Sequence, residues 1–147
     1  MLKVKEKKMN RLSDYMKQYL EGLSEDERYR ELYDINLALD ERSIIAITDA
    51  RGTITYANST FCAISGYSQE ELIGQNHSML NSGFHPKGFF KEMWGVISSG
   101  QVWRAEICNR GKGGHLYWVD TTIIPFKNDH GEIYKYLAIR NEITENK

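Results

Sequence analysis

The hydrophobic and polar positions of this chain follow two different periods. Up to about residue 42 the apolar side chains recur in steps of three and four, and after it they form short β-branched runs and alternations of two. The first pattern predicts helix and the second predicts sheet. In the helical part Met9, Leu12, Met16, Tyr19 and Leu23 fall on one face, the spacing of a seam. Gly22 weakens that helix, and Ser24-Glu25-Asp26-Glu27 reads as a capping box that starts a second one running to about Asp40. Fewer than three heptads make no stable coiled coil alone, so the seam docks either on its own sheet or on a second copy.

From Ser43 onward the elements shorten. Ile44-Ile45-Ala46-Ile47-Thr48 is a buried-strand run, Asp49-Ala50-Arg51-Gly52 carries turn chemistry, and Thr53-Ile54-Thr55-Tyr56 returns as a hairpin. Asn58 caps a helix carrying Phe61, Ile64 and Tyr67 inward, and Ser68-Gln69-Glu70-Glu71 opens another that Gly74 ends. Pro86 suits the first turn of a helix over 87–98, where Phe89 or Phe90, Met93, Trp94 and Ile97 share a face. Over 101–110, Trp103, Ala105, Ile107 and Asn109 alternate with Arg104, Glu106, Cys108 and Arg110. Gly111-Lys112-Gly113-Gly114 turns the chain into a strand over 115–126, with Tyr117, Val119, Thr121 and Ile123 on one face, and a last strand covers 133–141. These elements predict an α+β fold: a five-stranded antiparallel sheet with short helices on one face, plus an N-terminal helical extension. The expected division is 1–41 for the extension and 42–147 for the domain.

Composition narrows the function classes. A length of 147 residues and a net charge of −1 without a basic block argue against nucleic acid or an anionic membrane as partner. Cys62 and Cys108 form neither a CxxC pair nor a secreted framework, which fits free thiols in a reducing cytoplasm. No apolar run reaches the roughly 20 residues that span a bilayer, and the start has no secretory h-region. No nucleophile–base pair, HExxH or P-loop is visible, so enzyme chemistry is not expected, and two Cys and four His are too scattered for zinc.

One stretch is richer than a structural loop requires. Residues 76–86, Asn76-His77-Ser78-Met79-Leu80-Asn81-Ser82-Gly83-Phe84-His85-Pro86, mix amides and imidazoles with apolar side chains and lead into the helix ending at Met93-Trp94. Such a mixture suits one wall of a pocket. Asn109, on the strand face of Trp103 and Ile107, places a carboxamide that both donates and accepts in the same interior; its plain structural alternative is an amide capping its own turn. Trp94 offers a flat apolar surface or ordinary core packing. His77 faces a ligand, a strand or solvent, and His85 beside Pro86 reads as an exposed loop residue.

Several short motifs occur together between about Glu41 and Thr144: Ile47-Thr48-Asp49, Tyr56-Ala57-Asn58, Gly66-Tyr67-Ser68 with Glu71-Leu72-Ile73-Gly74, Asn109-Arg110 before the glycine turn, Tyr117-Trp118 and Ile143-Thr144. In this order and spacing the chain resembles the PAS sensor domain, with Glu142 in place of the aspartate of a common terminal Asp-Ile-Thr. In the photosensory LOV branch the Gly74-Gln75-Asn76-His77 motif carries a cysteine that bonds flavin, and here His77 stands there, so the resemblance implies no cysteine photochemistry. Val119 replaces a second flavin-binding asparagine of that branch and Arg140 its signalling glutamine. The chain is more similar to the FAD-binding redox PAS domains of the aerotaxis-receptor and nitrogen-fixation-regulator type, through Asn76-His77-Ser78-Met79, Met93-Trp94, Trp103, Asn109-Arg110, Tyr117-Trp118-Val119 and Ile139-Arg140.

That resemblance implies non-covalent FAD used to sense redox state or oxygen, with Asn109, Trp94, Arg140, His77, Asn76, Trp103 and Thr48 at the cofactor. Arg140 would stand beside the ring's N5/O4 edge, or else form a salt bridge on the outer face of its strand. Haem is less well served, because the helix over 87–98 holds no histidine and only His85 precedes it. The resemblance also implies a homodimer through the N-terminal helices or the sheet, and an effector domain such as a kinase, cyclase or chemoreceptor. The alternative is a cofactor-free PAS module for dimerisation or small-ligand binding.

Overall fold

The structure is a computed structural model that describes residues 14, 15 and 18–144. The chain divides into two compact units, Met1–Ala38 and Leu39–Lys147. Helix α1 (Glu25–Arg42) begins in the first, at the expected box: Glu27 N–H donates to Ser24 Oγ at 3.2 Å and Ser24 N–H donates to Glu27 Oε1 at 3.0 Å. It continues two residues past the expected end. Met9, Leu12 and Met16 of the expected seam lie outside the described residues, while Tyr19 is exposed and Leu23 half-buried.

The second unit holds strands β1 (Ile44–Asp49), β2 (Ile54–Ala57), β3 (Trp103–Arg110), β4 (Leu116–Lys127) and β5 (Ile133–Glu142) in one sheet of order β2-β1-β5-β4-β3. Every pairing is antiparallel, and the last strand of the sequence occupies the middle of the sheet. Helices α2 (Ser59–Ser65), α3 (Gln69–Leu72), a 3-10 turn (His77–Leu80) and α4 (Phe89–Ser98) bridge β2 to β3. Their buried side chains Phe61, Leu72, Leu80, Met93 and Ile97 pack with Ala46, Ile107, Val119, Ile123 and Ala138 of the sheet. Each large apolar side chain so buried contributes about 1.5 to 3 kcal/mol. The expected alternation on β3 and β4 places Ile107, Asn109, Tyr117, Val119, Thr121 and Ile123 in the interior.

Asn58 joins three elements. Its Oδ1 accepts from Ile45 N–H and from Phe61 N–H, both at 3.0 Å, and its Nδ2 donates to Ser43 O at 2.7 Å. One side chain thus caps α2 and ties it to the start of β1. Ser68 and Glu71 form the second capping box, at 3.0 and 3.1 Å. At the β3–β4 turn, a Cβ on Gly111 would meet the His115 ring at 2.1 Å and Ser65 O at 2.7 Å, so no larger residue fits there.

Two local expectations are corrected. Pro86 is not in the first turn of α4: Gly88, at φ +104°, is the N-cap, and Pro86 precedes it and accepts from Phe89 N–H at 3.1 Å. His85 is not an exposed loop residue. Its ring stacks on Phe89 with centroids 4.1 Å apart, and its Nε2 accepts from Cys108 N–H at 2.9 Å. Ser82 Oγ donates to Cys108 O at 2.7 Å, and Asn81 bridges Asn109. The segment after the 3-10 turn thereby covers the free edge of β3, which otherwise presents unpaired backbone groups.

Candidate functional site

The middle strand places an uncommon residue at the centre of the fold. Arg140 lies between Ile44 of β1 and Thr121 of β4 in register and is 1% exposed. It faces inward and makes no outer-face salt bridge. Its guanidinium lies over the Phe61 ring, with Cζ 5.6 Å from the centroid, a cation–π distance. Its Nη2 donates to His77 Nε2, while Nε and Nη1 have no hydrogen-bond partner. Burial lowers the Arg140 pKa to about 10, so the group stays charged at neutral pH. Among the described residues no carboxylate pairs with it.

His77 opens the 3-10 turn. Asn76 precedes it as N-cap, its Oδ1 accepting from Ser78 N–H at 3.0 Å and its Nδ2 donating to Arg51 O at 3.2 Å. The His77 backbone N–H donates to Gly52 O at 2.9 Å. Burial first, and then the positive charge of Arg140, push the His77 pKa down to about 3. The imidazole is therefore neutral and can accept the guanidinium proton.

His77 also lines a cavity of about 20 Å³, bounded by Thr48, Gly52, His77, Trp94, Ile123 and Tyr136 among others. Gly52, at φ +90°, lets the hairpin turn approach the indole, since a Cβ there would stand 3.0 Å from Trp94 Cζ2. Trp94 meets Tyr136 edge-on at 5.7 Å. The walls are apolar apart from Thr48 Oγ1, which donates to its neighbour Asp49 O at 2.9 Å, the Tyr136 hydroxyl and the His77 ring.

Of the seven residues expected at the site, Thr48, His77 and Trp94 therefore line one cavity, and Arg140 donates to His77. Asn109, 2% exposed, faces the same interior opposite Tyr117, four residues along β4 from the partner of Arg140, with its Nδ2 lacking an acceptor. Burial raises the Tyr117 pKa to about 12, which keeps the neighbouring phenol neutral. Trp103 packs edge-on against Phe89 at 5.6 Å, away from the cavity, and Asn76 is exposed in its capping role. Gly52, Phe61 and Tyr136 join the site without having been singled out in the sequence. The alternation Tyr136, Ala138, Arg140 on β5 is the signal that points to the last of them. Cys62 and Cys108 form no disulfide, and neither lines the cavity.

The cavity walls are apolar with a few polar groups, and further buried polar nitrogens lie on the same inner face of the sheet. Three buried nitrogens, Asn109 Nδ2 and Arg140 Nε and Nη1, have no acceptor among the described residues, and buried donors are ordinarily paired. Apolar walls with a few convergent polar groups describe a small-molecule site. About 20 Å³ holds a single water, so entry of a ring requires side chains such as His77 and Trp94 to turn outward.

Residues 42–145 match the PAS domain. The chain belongs to the PAS family. A nitrogen fixation regulatory protein of Klebsiella pneumoniae is 42% identical over 100 residues, 68% of this chain and 20% of that protein. The aerotaxis receptor of Escherichia coli (strain K12) is 37% identical over 106 residues, 72% of this chain and 21% of that protein. The chain thus spans about a fifth of the length of these relatives, which are by name a regulator and a receptor. A PAS domain crystal structure from Colwellia psychrerythraea superposes with a TM-score of 0.65 at 29% identity, covering 78% of this chain and 98% of that one. Residues 42–145 thus form a PAS domain with the sheet and helices of that fold. Among the described residues no helix is long and apolar enough to cross a membrane, and no cluster of His, Cys, Asp and Glu could hold a metal ion.

Proposed function

We propose that this PAS domain binds FAD non-covalently between its helices and its sheet and reports redox state or oxygen to an effector. The observation that carries this reading is the set of buried donors without acceptors, Asn109 Nδ2 and Arg140 Nε and Nη1, on the inner face of one sheet. A flavin supplies a ring that accepts and returns electrons together with protons. This chain's residues would hold it. Asn109 would donate to a carbonyl of the ring and accept from its N–H, Trp94 would cover an apolar portion, and Arg140 would favour a ring carrying negative charge. The similarity to a nitrogen fixation regulator and an aerotaxis receptor supports the sensory class of the reading.

The signal would leave through β5, whose central position couples Arg140 to both β1 and β4. It would reach the extension over residues 1–41, a homodimer formed through the N-terminal helices or the sheet, and an effector domain such as a kinase, cyclase or chemoreceptor. The cytoplasm is the compartment this reading requires. Catalysis is not part of it. Purification in the presence of FAD, followed by gel filtration and a visible spectrum, tests the reading: bound flavin absorbance supports it, and a colourless protein overturns it.

One observation favours a second reading. A cavity of about 20 Å³ suits a cofactor-free PAS module whose side chains fill its interior and whose role is dimerisation or binding of a small metabolite. A colourless dimer dissociated by Leu12→Glu and Met16→Glu would select that reading.

A further inference from the structure

Arg140 has one hydrogen-bond acceptor among the described residues, and it is an unusual one. A buried guanidinium ordinarily meets a carboxylate, which holds it in two-point fashion. A neutral imidazole offers a single lone pair, leaves two N–H-bearing nitrogens unmet and cancels no charge. Such a contact is exchangeable where an ion pair is not. Position points the same way. His77 touches both the cavity and Arg140, lining the one with Thr48, Trp94 and Tyr136 while accepting from the other. Its backbone is held by Gly52 O and by the Asn76 cap, so the ring can turn about its own side-chain bonds while the helix start stays in place.

We propose that His77 is an internal stand-in for the ligand: its Nε2 occupies the place on Arg140 that an acceptor atom of the bound ring takes, and binding turns the imidazole out. This rests on the FAD reading and deepens it. The released ring then regains ordinary basicity, which couples ligand binding to proton uptake. Its titration is governed by few neighbours. Arg140 on β5 supplies the charge that faces it, Tyr136 on β5 is the other titratable side chain at the cavity, Tyr117 on β4 acts on Arg140, and α2 and α4 contribute the uncharged Phe61, Met93 and Trp94. At the hairpin turn the Asp49 carboxylate is engaged by Arg51 and Thr53 N–H.

The test is FAD binding by calorimetry to the whole chain and to His77→Leu, between pH 7 and pH 5.5. Removing the competitor is expected to tighten binding by about tenfold at pH 7, the worth of one charge-assisted hydrogen bond. Wild-type affinity is expected to rise as pH falls through about 6.5, the ordinary histidine value, with net proton uptake, because the bound state holds the more basic imidazole. H77L is expected to show neither. Wild-type binding that is independent of pH and unimproved in H77L overturns this inference and leaves the FAD reading intact. FAD taken up by neither protein overturns both. Should H77L fail to fold, nitrogen-15 spectra of the wild-type His77 ring decide: a shift of Nε2 on FAD addition supports the stand-in, and an unchanged Nε2 overturns it.

Discussion

Asn58 and Arg140 are both buried polar residues, 2% and 1% exposed, one at the start of α2 and the other on β5. Asn58 makes three hydrogen bonds of 2.7 to 3.0 Å to backbone groups of three different residues. Arg140 makes one, to a neutral imidazole, and together with Asn109 leaves three nitrogens unpaired. A buried polar group completed by its own chain stabilises the fold, whereas an incomplete one opposes it. On the proposed reading, the contrast separates the part of this interior that serves folding from the part that would serve a ligand.

Substitutions should reproduce that separation. The largest effect is expected at the completed site: Asn58→Ala removes a cap and leaves Ile45 N–H and Ser43 O unmet, so chemical denaturation should show a loss of about 2 to 4 kcal/mol. At the incomplete site the sign reverses. Arg140→Met replaces an unpaired buried charge with an apolar chain, and the ligand-free protein should be as stable as wild type or more so, by up to about 2 kcal/mol. A large destabilisation by R140M would erase the distinction.

Acid sharpens it further. His77 has its pKa lowered to about 3 from an ordinary value of 6.5, so the unfolded chain binds the proton more tightly than the folded one. The stability linked to this group is complete above about pH 6.5 and is lost progressively as pH falls toward 3. Discounted for the partial exposure of the residue, melting at pH 5.5 should show about 1 kcal/mol less stability from this source. His85, also lowered by burial, acts in the same direction, so the His77 share is the part absent in H77L. The smallest effect is expected for Asn109→Leu, which removes one unpaired donor and should shift ligand-free stability by less than about 1 kcal/mol in denaturation.

Much of the fold is legible in the sequence because it rests on local rules. Ser24 with Glu27 and Ser68 with Glu71 form both capping boxes at a separation of three residues. The period of two on β3 and β4 brings Asn109 and Thr121 inward together with Ile107 and Val119. The site is less legible because its contacts are not local. His77 and Arg140 are 63 residues apart, and nothing near either residue signals that they meet. His85 reads as loop because its position follows from the free edge of β3, where Cys108 presents a backbone N–H that a side chain must satisfy. Pro86 matches a helix start by residue type, yet Gly88 with its positive φ supplies the turn into α4. Asn76 has the right chemistry for a ligand and is engaged with the backbone of Ser78 and Arg51 instead.

The central claim, that the incomplete donors form the ligand site, is tested most directly by the flavin-to-protein ratio after gel filtration in FAD, measured for wild type and R140M alongside their melting temperatures. The account predicts that wild type retains flavin, while R140M loses it and melts at the same temperature or higher. A colourless wild type, or an R140M protein that retains flavin as well as wild type does, would contradict it.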